Sequence, residues 1–198
     1  LILRKLLENT EFKNLFIQRF AAHMNSTFSK DSIISMADSL EKIFAGEKMP
    51  HLKRWGYRDS LWNVELAGIK SFAQKRAGKM QGFIKSKFGI SFTHSLTLKA
   101  ENNVNPRFKL SGVHLNGNNI TGEYFEGIPF TLEALDESGL TFKEWQDDNG
   151  TVVSTTKNFT VYSFYSNKTY IAIYDINPKL QNVFINEFMT SNKSVIKD

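Results

Sequence analysis

The stretch LLENTEFKNLFIQRFAAHMNSTFSKDSIISMADSLEKI, residues Leu6–Ile43, decides the architecture of the first half of the chain. Apolar residues recur in steps of three and four over Phe12–Met24, and this spacing predicts an amphipathic helix with Thr10 as its N-cap. A second helix is predicted to start after Ser29 and to end at Gly46. The stretch therefore predicts two packed helices.

The pattern continues in helical form and then changes. A third long helix is predicted to open at Asp59 or Ser60, with a kink or break at Gly78 and a stop at Gly89. From Ser91 onward the apolar residues alternate with a period of two, which predicts strands. The predicted strands are 91–100, 107–115, 119–125, 129–135, 140–145, 151–154, 159–163 and 169–174.

Three turn signals separate the predicted strands. Gly112 is predicted to mark a bulge, NGNN (Asn116–Asn119) a hairpin, and DDNG (Asp147–Gly150) a tight type I′ turn. The whole pattern predicts an α+β fold in two parts. These are a helical unit at residues 1–89 and a small antiparallel β-sandwich-like unit at residues 90–182, followed by a strand or stub at residues 183–198.

Composition supports two units and excludes several classes of protein. Residues 1–90 carry 16 Lys and Arg against 8 Asp and Glu, whereas residues 91–198 carry 9 against 12. The chain has no cysteine, so disulfides and thiolate metal sites are excluded. The basic residues are dispersed, without a nucleic-acid-binding motif, and no apolar run is long enough to span a membrane. We expect no nucleic-acid partner and no membrane span.

Motifs for catalysis are missing from the sequence. A kinase needs a phosphate cradle, a lysine for the phosphates and carboxylates for Mg²⁺, and neither GxxxxGK[ST] nor GxGxxG occurs. No HExxH pair and no GxSxG elbow is present. We therefore predict no catalytic, cofactor-binding or metal-ligating residue in this chain.

The best candidate for ligand contact is the basic cluster His51, Lys53 and Arg54 beside Trp55. Arg54 could bind a phosphate or an acidic substrate by a bidentate contact, and Trp55 would line one side of the site. Alternatively, Arg54 pairs with a carboxylate of the preceding helix, and Trp55 anchors the core. Arg76, near the end of the third helix, is a similar candidate that also suits the helix dipole.

Other candidates have structural explanations as well. The Asp147 turn could offer oxygen ligands to Ca²⁺, but it lacks the further ligands of an EF-hand loop. A sugar-binding face is conceivable in the β-unit, and core packing is the alternative for the same residues, which are Glu123, Tyr124, Phe125, Glu126 and Trp145.

Three stretches resemble known families. The order LL.N..F...FI.RF...MN.TFS, followed by Arg54 and Trp55, resembles the C-terminal helical part of the CotH kinase family, atypical kinases related to spore coat protein H. EYFEGIPFTLEALDESGLTFKEW (Glu123–Trp145) is similar to β-modules of bacterial surface proteins. VFINEFMTSN (Val183–Asn192) resembles the opening strand of a lamin-tail domain. Together they suggest a multidomain, secreted bacterial protein.

The CotH resemblance implies an atypical kinase whose ATP and Mg²⁺ sites lie upstream of Leu1, so this chain is expected to be a non-catalytic scaffold or substrate-positioning region. The alternative is a surface or adhesion protein whose β-module binds glycan or protein without kinase activity. Implied partners are the upstream catalytic half, surface or coat proteins, glycans, or a second copy through an exposed helical face. The implied location is extracellular or at the cell surface.

Overall fold

The computed structural model describes residues 2–101, 107–136, 139–162 and 164–176. Four helices come first, followed by strands that form two sheets, so the predicted α+β class is confirmed. The helices are α1 (Ile2–Leu6), α2 (Thr10–Asn25), α3 (Lys30–Trp55) and α4 (Asp59–Phe88). The strands are β1 (Thr93–Ala100), β2 (Arg107–Leu110), β3 (Val113–Asn116), β4 (Asn119–Phe125), β5 (Phe130–Ala134), β6 (Leu140–Gln146), β7 (Val152–Ser154), β8 (Asn158–Val161) and β9 (Lys168–Ile176).

Side-chain caps fix where α2 and α3 begin. Asn9 caps α2, because its side-chain oxygen accepts a hydrogen bond from the amide of Phe12 at 2.9 Å. The predicted cap, Thr10, is instead the first residue of the helix. Ser29 caps α3 as predicted and accepts from the amide of Ser32 at 3.2 Å.

The prediction that Gly46 ends the second helix is wrong, since α3 continues to Trp55. It passes through Pro50, which cannot donate a hydrogen bond to the carbonyl of Gly46 one turn earlier. Near this point α3 is joined to α4. Lys48 Nζ lies 2.7 Å from Asp59 Oδ1. The helix ends at Gly56, whose φ of +67° places it in the left-handed region that suits glycine.

Helix α4 is likewise longer than its glycines predict. It runs through Gly78 without a break, and no atom lies within 4 Å of the position of a β-carbon there. Gly89 ends the helix as predicted, with a φ of +68°. An ion pair between Lys70 and Asp38 joins the first half of α4 to the first half of α3, so the two helices form an antiparallel hairpin, the α3–α4 hairpin.

The strands form a sandwich-like pair of sheets. One sheet has the order β4-β1-β9-β6-β7 and the other the order β3-β2-β5-β8. The described pairings are antiparallel except that between β1 and β9, which are parallel from Leu96 beside Lys168 to Ala100 beside Ala172. This parallel pair is the one departure from the predicted antiparallel arrangement.

Three turns differ from the predictions. The tight hairpin turn is at Ser111 and Gly112, with φ values of 48° and 85°, so Gly112 marks a turn between β2 and β3 and not a bulge. The predicted hairpin Asn116–Asn119 instead carries the chain from one sheet to the other, because β3 and β4 lie in different sheets. In the Asp147 turn only Gly150 has positive φ, which excludes type I′.

Aromatic side chains fill the space between the sheets. Trp145 is fully buried, with ring centroids 5.7 Å from Phe108, 5.8 Å from Phe142 and 5.7 Å from Phe159. Its indole nitrogen donates to the carbonyl of Lys157 at 3.2 Å, which satisfies the one polar group it brings into the core. In β5 the alternation places every second side chain in this core. In β6 the register shifts between Phe142 and Glu144, so that Leu140, Phe142 and Trp145 all face the core.

Helix α2 completes this core. Ile17, Ala21 and Ala22 are buried in the same cluster as the strand residues, and small alanines let the helix approach β4 closely. Helix α2 therefore shares one core with the sheets. The predicted division of the chain between residues 89 and 90 stays a prediction.

The predicted strand or stub at residues 183–198, with its lamin-tail resemblance, lies outside the described residues. Within the described part of the chain, none of the helices combines the length and the apolar character needed to cross a bilayer.

Candidate functional site

The predicted cluster Lys53, Arg54 and Trp55 lies in the last turn of α3, at the tip of the α3–α4 hairpin. Trp55 is 61% exposed, so it is not the core anchor of the structural alternative. The guanidinium carbon of Arg54 lies 5.6 Å from the centroid of the Trp55 ring, a cation–π distance. Among the described residues Arg54 has no carboxylate partner, so this basic group remains available to a ligand.

Arg76 does not join this cluster. It lies 17 residues along α4 from Asp59, and at 1.5 Å per residue this places it about 25 Å from the tip. There its guanidinium carbon lies 5.5 Å from the ring centroid of Phe72. The predicted contact residues therefore do not form one site, because Lys53, Arg54 and Trp55 lie at the tip and Arg76 pairs with Phe72 further along α4.

A groove lies beside the tip, between the last turn of α3 and the first turns of α4. It has a volume of about 290 Å³ and is lined by His51, Leu52, Tyr57, Leu61, Trp62, Glu65, Leu66 and Ile69. The indole nitrogen of Trp62 is buried and has no hydrogen-bond acceptor among the described residues. Lys48 Nζ lies 5.6 Å from the same ring. The groove is mostly apolar, with a few polar groups, as is common in binding sites.

The hairpin also exposes many large apolar side chains, which we call the hairpin apolar surface. Its members are Met36, Leu40, Ile43, Phe44, Met49, Trp55, Tyr57, Leu61, Val64, Ile69, Phe72 and Phe83. Leu40 and Phe44 on α3, and Ile69 and Phe72 on α4, have the helical spacing of residues that normally face a core. They are nevertheless 45–58% exposed. Exposed apolar surface on this scale is typical of an interaction site.

The histidines divide between ordinary contacts and one open groove. His94 Nε2 lies 2.8 Å from Glu126 Oε2, and its ring meets that of Phe164 edge-on at 5.7 Å. His23 and His114 line a groove between α2 and the β2–β3 turn, together with Arg19. Within the described ranges, no three His, Asp or Glu side chains converge as metal ligands.

Asp147, the candidate for Ca²⁺ binding, makes hydrogen bonds within its own turn. Asp147 Oδ1 accepts from the amides of Asn149 at 3.0 Å and Thr151 at 2.8 Å. These bonds hold the pKa of Asp147 below its usual value, the Thr151 amide being the largest cause. Oδ1 of Asp147 is thus used to hold the turn together.

The proposed sugar-binding face is not on the surface. Tyr124, Phe125 and Trp145 are buried in the sandwich, so core packing is the correct explanation for these aromatic residues. Burial raises the pKa of the Tyr124 phenol far above its usual value, and a hydrogen bond with Asn25 partly opposes this. The aromatic residues that do face solvent on the β-unit are Phe92, Tyr162 and Tyr165.

Sequence reasoning missed the polar residues by which α2 holds the sandwich. Gln18 Nε2 donates to the carbonyls of Phe125 at 3.2 Å and Ile128 at 2.7 Å. Arg19 Nε donates to the carbonyl of Ser111 at 2.7 Å. The one signal in the sequence was the position of Gln18 directly after the apolar residue Ile17. Both side chains are buried in the structure.

Family comparison agrees with the two-part structure. Residues 1–80 match the family model described as CotH kinase protein, which confirms the resemblance of the helical unit. Residues 113–178 match the model described as divergent InlB B-repeat domain, which supports a bacterial surface β-module. No curated protein matches the sequence.

Solved structures give a weaker likeness. A pilus-presented adhesin, Cpa, is 16% identical over 45% of this chain and 28% of that chain, with a TM-score of 0.34. A cysteine-to-alanine mutant of the same adhesin is 15% identical with a TM-score of 0.30, again over 45% of this chain and 28% of that one. This chain thus spans about a quarter of the length of the adhesin.

Proposed function

We propose that this chain is the scaffold or substrate-positioning region of a CotH-like atypical protein kinase. It acts at the cell surface or spore coat of a bacterium that exports it. The family match over residues 1–80 and the surface-type β-module support this assignment. ATP and Mg²⁺ are bound by a separate catalytic region of the parent protein, and the chain itself catalyses no step.

The observation that carries the proposal is the hairpin apolar surface. Burying one of its larger side chains in an interface contributes roughly 1.5–3 kcal/mol, so several together stabilise a lasting complex. The groove beside Trp62 lies at the tip of the same hairpin and offers a recess for a partner side chain. The occupant we assign to this surface is the catalytic region.

Basic residues on the hairpin suit the second part of the role. Arg54 and Arg76 are cations over aromatic rings, and neither has a carboxylate partner among the described residues. Placed beside a catalytic region, such pairs would hold an acidic substrate segment by two-pronged contacts. They act as positioning residues in this proposal.

The test is a binding measurement between this chain and the catalytic region, expressed separately. We expect Phe72→Ser to weaken the complex at least about tenfold, because a buried phenylalanine is worth more than 1.4 kcal/mol. The matched control is Tyr162→Ser, an exposed aromatic residue on the β-unit, which should leave binding unchanged. Equal affinities for wild type and Phe72→Ser would refute the docking surface.

Calorimetry with ATP and Mg²⁺ tests the catalytic assignment. The expected result is binding by a longer chain that includes the catalytic region and none by residues 1–198 alone. Binding by residues 1–198 would contradict the scaffold role. Light scattering adds a further check, since a dimer that Phe72→Ser dissociates would identify a second copy as the occupant of the surface.

The B-repeat match favours a second candidate, a surface or adhesion protein whose β-module binds glycan or protein. Its exposed aromatic residues Tyr162 and Tyr165 would supply the contact area, in place of the buried residues first considered. Absence of ATP binding by both the short and the long chain would favour this candidate over the kinase scaffold.

A further inference from the structure

We propose that the groove between α2 and the β2–β3 turn is an oxyanion site of the phosphate class. We call it the Arg19 groove. It is lined by Arg19, His23, Thr27, Gly112, Val113 and His114. Neither the kinase-scaffold role nor the adhesion role assigns a ligand to this place.

Arg19 supplies the charge. Its Nε donates to the carbonyl of Ser111 at 2.7 Å, which fixes the guanidinium over the turn. Within the described residues Arg19 makes no ion pair, and its Nη donors have no acceptor. A guanidinium held by one edge presents its other edge as a fork suited to the oxygens of an oxyanion.

Gly112 makes this position accessible to Arg19. The Nη2 atom lies 2.7 Å from the point where a β-carbon of residue 112 would be, closer than real β-carbon contacts. Its φ of +85° also favours glycine. The turn therefore combines two features, a backbone carbonyl that orients the arginine and a bare α-carbon that lets it lie close.

The remaining walls add donors and no negative side chain. His23 lines the groove, and its Nδ1 is buried and has no hydrogen-bond partner among the described residues. Thr27, which also lines the groove, offers a hydroxyl donor. His114 is exposed on β3, opposite Lys109, and Lys109 Nζ pairs with Glu133 Oε2 at 3.2 Å. Lys109 and Glu133 are therefore paired with each other, and no Asp or Glu lines the groove.

The neighbouring groove at the α2–α3 junction does not extend this site. Its serines are already committed, since Ser26 Oγ donates to the carbonyl of Ala22 and Ser32 Oγ donates to that of Ser26. The donors that remain suit a compact anion with several oxygens. We therefore infer a phosphate group and not an extended polar chain.

The experiment uses the whole chain and sodium phosphate as the probe, with ionic strength held constant by sodium chloride. Imidazole resonances are followed by nuclear magnetic resonance. We expect phosphate in the millimolar range to shift His23 and His114 and to leave His51 and His94 in place. Arg19→Gln should weaken binding at least about fivefold, because a charged hydrogen bond is lost.

Two variants separate binding from folding. His114→Gln changes an exposed residue without a partner among the described residues, and it should weaken phosphate binding while leaving the melting temperature unchanged. Lys42→Gln, an exposed residue on α3, makes the same change of charge as Arg19→Gln and should leave binding unchanged. Sodium acetate, tested in parallel, should bind more weakly than phosphate.

Three outcomes would overturn the site. These are no shift of His23 and His114 at millimolar phosphate, the same shifts in Arg19→Gln as in wild type, and tighter binding of acetate than of phosphate. The proposal is independent of the docking measurement with Phe72→Ser, because that residue lies on α4 and not in the Arg19 groove.

Discussion

Replacing Gln18 by leucine tests how strongly α2 is joined to the sandwich. Gln18 is fully buried, and its amide nitrogen donates to the carbonyls of Phe125 and Ile128. Leucine has a similar volume, so the change removes both donors without leaving a large cavity. The effect on stability is therefore mainly the loss of two buried hydrogen bonds.

The magnitude follows from these two bonds. Each hydrogen bond contributes about 0.5–1.5 kcal/mol net, and the two carbonyls left without a donor add a desolvation cost. One term acts in the opposite direction, because Gln18 Oε1 is buried without a partner among the described residues and leucine removes it. We expect the free energy of unfolding to fall by about 2 kcal/mol, which lowers the melting temperature by roughly 4–8 °C in a chain of this size.

Urea denaturation followed by tryptophan fluorescence measures this difference. Gln74→Leu is the matched control, since Gln74 is exposed on α4 and the same substitution there should change stability by less than about 0.5 kcal/mol. The reasoning is refuted if Gln18→Leu is as stable as Gln74→Leu, because the two carbonyls would then not depend on α2.

Two further predictions concern glycine and pH. Gly112→Ala should destabilise the protein by about 1–3 kcal/mol, because it forces a positive φ and meets Arg19, whereas Gly78→Ala should stabilise it by about 1 kcal/mol in open helical space. The melting temperatures of the two variants test this prediction, and equal shifts in Gly112→Ala and Gly78→Ala would contradict it. The bond from Lys157 is the main cause that lowers the pKa of Asp136, so this carboxylate adds stability above its ordinary pKa that is lost as pH falls through its folded-state value. In urea unfolding between about pH 7 and pH 2, Asp136→Asn should therefore show a smaller loss of stability on acidification than wild type, and an unchanged pH dependence would contradict the assignment.

The helices were predictable where a local signal acts alone. Ser29 begins α3 through its side-chain hydrogen bond, and Gly89 ends α4 through its left-handed backbone conformation. Both predictions are confirmed. Gly46 and Gly78 are equally strong local signals, but they lie within the long α3–α4 hairpin. Both helices continue through these glycines at a cost of about 1 kcal/mol each. Contacts between the two helices, such as Lys48 with Asp59, are not visible in the local sequence.

The strands were predictable from alternation, but their partners were not. Asn116–Asn119 has the composition of a hairpin turn, yet the strands on either side of it enter different sheets. Which strands pair depends on how the two sheets share the core around Trp145, and this is a property of the whole unit. The pairing of β1 with β9, 72 residues apart at Leu96 and Lys168, leaves no signal in local sequence.

The candidate sites show the same limit. Arg54 and Trp55 were predicted as a pair because they are adjacent in sequence, and the structure keeps them together. Arg76 was added for its residue type alone, and it lies along α4 away from the tip. Arg19, His23 and His114 were not predicted as a group, because only the packing of α2 on the β2–β3 turn brings them together.

The parallel pair of β1 and β9 has a mechanical consequence. Strand β1 is the first strand of the β-unit, and β9 is the last of the described strands. The two strands run in the same direction. Tension applied to the chain on either side would pull the two strands past each other along their length. The backbone bonds between Leu96–Ala100 and Lys168–Ala172 would then carry the load together and not break one after another. A module built in this way is loaded in shear when the chain is pulled from both sides.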